Sequence, residues 1–111
     1  MPSPFKRVAA ANVGVAAVDV ATVPAAKVWT IIDATCANVE PGKTQVLGTV
    51  RQVLGATTTH LVKEGPVPYG GSMVVVGAPR KVVLIAGDKI QALCDKANGM
   101  DVTVSYLEQD A

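Results

Sequence analysis

The chain has 111 residues, half of them apolar, 17% charged, with a formal net charge of +1. These totals bound one small folded domain with a single modest core and exclude a disordered chain. They give no electrostatic footprint for nucleic acid or an anionic membrane surface, and no apolar run reaches the roughly 20 residues of a membrane-spanning helix.

The first seven residues, MPSPFKR, are too short and polar for a secretory signal, so a soluble protein made in a cytoplasm is expected. They read as an N-terminal arm (residues 1–7), whose Phe5, Lys6 and Arg7 are candidate subunit contacts by strand addition. Residues 8–108 read as one domain and 109–111 as a C-terminal tail. Val13, Val15 and the run Val18–Val23 point to strands before Pro24. KVWTIIDATCAN (27–38) is dense in β-branched residues, and EPGK (40–43) is a strong turn. Gln45–Val53 makes a further strand, stopped by Gly55. TTTHLVKE (57–64) alternates apolar and polar until GPVPYGG closes it. SMVVV is bounded by GAP, RKVVLI ends at AGD, and DKIQALCDK ends at ANG. DVTVSYLE places Val102, Val104 and Tyr106 on one face. Eight or nine short strands at spacings of roughly 8–12 residues have the rhythm of an antiparallel sandwich or barrel.

Two stretches also fit helices. In residues 22–39, Thr22 is a cap, Pro24 lies in the first turn, and Val28, Ile32, Thr35 and Val39 share a face. In residues 88–99, Asp88 is a cap, Ile90, Leu93, Cys94 and Ala97 share a face, and Gly99 is a stop. If both were helical, the fold would be α/β, similar to bacterial microcompartment shell subunits. The β-branched density of the first stretch argues against a helix there. The second stays open on pattern alone.

Chemistry is sparse. His60 is the single histidine, and no nucleophile or orienting carboxylate is tied to it by a motif. The carboxylates are scattered over turns and strand ends, and Asp88 in AGDK reads as a turn acceptor. YGGS and VGAP lack the Lys-Ser or Lys-Thr of a phosphate loop. No catalytic, cofactor-binding or metal-ligating residue is therefore assigned, no cofactor is expected, and no enzyme is expected. Cys36 and Cys94, 58 positions apart, read either as two free half-buried thiols or as a cross-link, within or between chains, formed after release into oxidising surroundings. The core is mostly Val and Ala, with Phe5, Trp29, Tyr69 and Tyr106 as the only aromatics. So little mass leaves part of the burial to a partner surface.

Leu61–Lys63, Pro66–Pro68 with Gly70 and Gly71, Val74–Gly77, Lys81–Leu84, Ala86–Lys89 and Asp101–Glu108 together resemble small virion proteins of tailed bacteriophages. FKRVAAANVG, ATVPAA and TIIDATCANV extend the likeness more loosely over the front half. These are fold-and-turn words, and they identify no site. Ile85 departs from the pattern, which has an acid there, as do Leu93-Cys94 and Cys36. The resemblance implies that both ambiguous stretches are strands. The fold it implies is all-β, an antiparallel β-sandwich (jelly-roll or Ig-like) of about eight strands. The role it implies is structural: a virion component made in the host cytoplasm, packing in many copies at the neck or collar of the head–tail junction. Capsid decoration is the alternative, and the α/β shell subunit remains a further one. A carbohydrate-reading tail-fibre module has thin aromatic support. The partners implied are copies of itself and other virion proteins of the neck, portal-proximal region or capsid, with no nucleic acid, membrane or small-molecule substrate.

Overall fold

The computed structural model describes residues 5–77 and 82–110. They form nine strands: β1 (Phe5–Val13), β2 (Val18–Thr22), β3 (Lys27–Asn38), β4 (Val46–Leu54), β5 (Thr57–Val67), β6 (Ser72–Val76), β7 (Val82–Ile85), β8 (Lys89–Cys94) and β9 (Met100–Asp110). The described residues contain no helix.

The pairing is nested and antiparallel throughout. At the centre β4 pairs with β5; around it β3 pairs with β6 and β7, then β2 with β8, and outermost β1 with β9. The chain is thus one long two-stranded ribbon that turns back at the β4–β5 hairpin. Rolling that ribbon brings β9 onto β3 and β8 onto β4. Two sheets result: a five-stranded one ordered β1-β9-β3-β6, with β7 beside the first half of β3, and a four-stranded one ordered β2-β8-β4-β5. This is the jelly-roll form of the antiparallel sandwich.

Turn chemistry sets where the ribbon bends. Gly71 N–H donates to the Pro68 carbonyl at 2.9 Å, and Gly70 between them has φ 80°, which a side chain would strain. Asp88 N–H closes the β7–β8 turn on the Ile85 carbonyl at 3.0 Å, while the buried Asp88 carboxylate accepts from Ile85 N–H at 2.9 Å. Asp88 is therefore the turn acceptor its sequence context indicates, and β8 replaces the helix it was able to cap. β3 likewise runs as a strand over the first ambiguous stretch. The α/β shell reading is overturned, because both segments spend their backbone hydrogen bonds on neighbouring strands.

The ends of the chain also differ from expectation. Phe5, Lys6 and Arg7 are no arm: they pair with Leu107, Tyr106 and Ser105 of β9. Gln109 and Asp110 are no tail, because β9 continues through them opposite Val28 and Lys27. An edge strand this close to a complementary partner satisfies its backbone by zipping onto it. Val15 lies in the β1–β2 connection. Residues 1–4, 78–81 and 111 are outside the described set.

The core lies between the two sheets. Ile31, Leu84, Ile90 and Met100 are its largest fully buried side chains, with Val13, Val46, Val50, Val67, Val102 and Val104 between them. Ile31 and Ala34 both face inward although three residues apart, because the register slips between Ile31 and Asp33. Such a bulge adds one residue and resets the alternation. Gly48 and Gly65 face each other across β4 and β5. A Cβ at Gly48 would come 2.9 Å from Met100 Sδ, and one at Gly65 2.8 Å from Met73 Sδ. The missing side chains leave a hollow in one sheet that methionines of the other fill. Trp29 stacks on Tyr106 at a centroid distance of 3.8 Å and closes the far end.

Candidate interaction surfaces

Cys36 on β3 and Cys94 on β8 come from opposite sheets, and both are buried free thiols. Cys94 Sγ lies 3.3 Å from the Val13 carbonyl and 3.1 Å from that of Lys96, either of which can accept its proton. Burial, with Cys94 close by, pushes the Cys36 thiol up to about 11. A thiol held protonated at neutral pH is a poor nucleophile. Neither sulfur reaches a neighbouring molecule without the sandwich opening.

The end of the sandwich that Trp29 closes is fixed by charge. Glu108 accepts from Lys6 Nζ at 2.8 Å and from Trp29 Nε1 at 2.9 Å. The Lys6 ammonium, then the indole N–H, hold its carboxyl below the usual range. Beside it, Lys27 Nζ meets Asp110 at 2.6 Å, and that hydrogen bond lowers the Asp110 carboxyl. Lys6 thereby ties β1 to β9 through its side chain as well as its backbone.

On the four-stranded sheet, the outer face is laced with polar groups. Arg51 Nε donates to Gln91 Oε1 at 2.9 Å, Gln91 Nε2 donates to Asp19 Oδ1 at 2.7 Å, and Lys89 Nζ lies 3.3 Å from Asp19 Oδ2. The Gln91 amide first, then Lys89, lowers the Asp19 carboxyl. His60 continues this row on β5, opposite Arg51 and exposed. It joins no group of three metal-ligating side chains; among the described residues no such group occurs.

The five-stranded sheet presents the opposite character. Alternation away from the core turns Phe5 and Arg7 of β1, Ser105 and Leu107 of β9, Val28, Thr30 and Asp33 of β3, Val74 of β6, and Val83 and Ile85 of β7 outward. Phe5 is 64% exposed, Val74 65%, Val83 61% and Ile85 60%. The register sets them in rows across the sheet. One row reads Val83, Thr30, Leu107, Phe5, and the next reads Asp33, Ser105, Arg7. Over small Ser105 opens a hollow of about 340 Å³, walled by Phe5, Arg7 and Ile32.

Sequence reasoning reached part of this surface. Phe5 and Arg7 stood out as contact residues, though as members of an arm, and Ile85 stood out as an apolar departure. The Val clusters at 74–76 and 82–84 read as core or subunit contact, without separating the outward Val74 and Val83 from their buried neighbours. The runs VVLI and SMVVV carry little polar alternation, so nothing local marks which of their side chains face water.

No family model matches the chain, and no curated protein does. Two solved structures, both of pentameric capsid proteins isolated from metagenomic phage sequences, are similar in chain path. One is 18% identical with a TM-score of 0.43, covering 96% of this chain and 61% of that one. The other is 16% identical with a TM-score of 0.40, covering 96% of this chain and 67% of that one. The chain spans about three-fifths of the length of the first. At such identities the likeness says nothing of side-chain roles.

Proposed function

We propose that this chain is a structural component of a tailed-bacteriophage virion that works by packing in several copies, at the neck or collar of the head–tail junction. The observation that carries the reading is the inequality of the two outer faces. One carries a polar chain of Arg51, Gln91 and Asp19 across its strands, and the other leaves four large apolar side chains more than half exposed. A face of that kind on a small domain is costly unless something covers it. The sequence resemblance supplies the setting. Its matched words form the β5–β6 turn around Gly70, the β7–β8 turn around Gly87 and Asp88, and the central strand β9. Many copies around a symmetry axis make weak contacts add to strong ones, so a stiff wedge of Val and Ala serves without any reactive group.

Averaged images of purified particles carrying a tagged chain test this. Symmetry-related density at the head–tail junction is expected. Density over the capsid surface would move the protein to decoration, and a particle without the tag would end the virion reading.

A further inference from the structure

We propose that the outer face of the five-stranded sheet packs against the same face of a second copy, about a two-fold axis lying in the interface and running along the strands between β9 and β3. The inference rests on the multi-copy reading above and names one contact of that packing, the one that joins copies in pairs.

Four strand positions at about 4.8 Å and about eleven residues at 3.3 Å make a face of about 700 Å². A standard protein interface takes about 800 Å² from each partner. At about 700 Å² the face lies within the roughly 600–1,000 Å² per partner that standard interfaces span, so a stable pair uses nearly all of it.

The charge pattern of the face selects a copy of this chain over a foreign partner. A two-fold axis along the strands keeps each residue at its own level and exchanges left for right. Residues of one row then meet residues of the same row. The row of Arg7, Ser105 and Asp33 holds one cation and one anion on opposite sides of a small residue. Rotation brings each Arg7 within a side chain's reach of the other copy's Asp33, so two ion pairs form from one row. Asp33 already accepts the Thr35 hydroxyl at 3.2 Å and 3.4 Å, which orients its carboxylate and leaves lone pairs for a guanidinium. In the adjoining row the same rotation lays Phe5 over Val83 and Leu107 over Thr30, so apolar meets apolar at both ends. The hollow over Ser105 lies between these rows and takes the opposing side chains. Two sheets packed with aligned strands are an ordinary arrangement, the one this protein uses in its own core. The outer face of the four-stranded sheet offers no equivalent, because Asp19, Gln91 and Arg51 satisfy one another across it.

Sedimentation of the full chain from micromolar to millimolar concentration tests the proposal. The unmodified chain is expected to self-associate reversibly. Val83→Lys, Arg7→Asp and Asp33→Arg should each weaken the association by about tenfold or more. The double variant R7D/D33R should restore it to within a few-fold of the original, since the pair is rebuilt with its signs exchanged. All three positions lie on the surface of a strand, and circular dichroism should show unchanged strand content; if V83K fails to fold, Ile85→Lys reads the same surface. A chain that is monomeric throughout overturns this proposal, whereas the multi-copy reading falls only with the particle images. Self-association that ignores V83K and both charge reversals overturns this face alone and leaves the multi-copy reading standing. Reversals that weaken it without mutual rescue overturn the two-fold register.

Discussion

Replacing Gly48 by Ala probes the hollow that the methionines occupy. The backbone there is ordinary strand, so the substitution tests space and not conformation. The new methyl would lie 2.9 Å from Met100 Sδ and 3.6 Å from both Met100 Cε and Met73 Cε. Met100 is fully buried and has no solvent side to retreat into. Overpacking of this kind costs about 1–3 kcal/mol, offset by about 0.4–1 kcal/mol because Ala restricts the unfolded chain. A net loss of about 1–2 kcal/mol is expected. Met100→Ala removes the side chain and leaves a cavity, at about 2–5 kcal/mol. In the double variant the added methyl enters space that Sδ has vacated, so the clash disappears and part of the cavity is refilled. The pair should therefore cost less than the sum of the singles by about 1–2 kcal/mol. Urea unfolding followed by the fluorescence of Trp29 measures this, since it is the single tryptophan and is buried against Tyr106. For a chain of this length 1 kcal/mol shifts the melting temperature by about 4 °C, so the effects are well resolved. Additivity to within about 0.5 kcal/mol, or a neutral Gly48→Ala, would refute the packing described.

Asn38→Ala should be among the more damaging polar substitutions, at about 2–4 kcal/mol by chemical denaturation. Its amide donates to the Thr44 and Val67 carbonyls at 2.9 and 2.8 Å, and its carbonyl accepts from Glu40 N–H at 2.9 Å, so three backbone groups lose a partner together. Alkaline titration should reveal Cys36. Its thiol pKa is raised from 9.0 to about 11, so the stabilisation is whole below pH 9 and is lost between there and pH 11 as the unfolded thiol ionises. Cys36→Ala should flatten that limb, and an unchanged limb would contradict the burial. Glu108, Asp19 and Asp110 titrate in the opposite sense: their carboxyls are lowered in the fold, so their contribution is present above the normal carboxylate range and fades as pH falls through it. Glu108→Gln should make the acid limb of a stability profile shallower. A thiol-reactive dye should label neither cysteine in the native protein and both in denaturant; rapid labelling of the native chain would contradict the positions of Cys36 and Cys94.

Local chemistry was legible from the sequence because it acts over a few residues. Strand rhythm, the EPGK turn, the glycine turns at Gly70 and Gly87, and Asp88 as a turn acceptor all follow from backbone preferences of neighbouring side chains. The class of fold follows with them. Segments 22–39 and 88–99 satisfied helix and strand patterns alike, and pairing with distant strands decided them. The same long-range pairing drew Phe5–Arg7 onto Leu107, Tyr106 and Ser105, a hundred residues along the chain, where composition had indicated a loose arm. The bulge at Ile32 then reset which side of β3 faces the core. Apolar runs such as SMVVV and VVLI look the same whichever face is covered, so their exposed side chains emerge only once two sheets have closed. Conformational preference is written residue by residue. Which surface meets water depends on contacts between segments that the order of residues alone does not bring together.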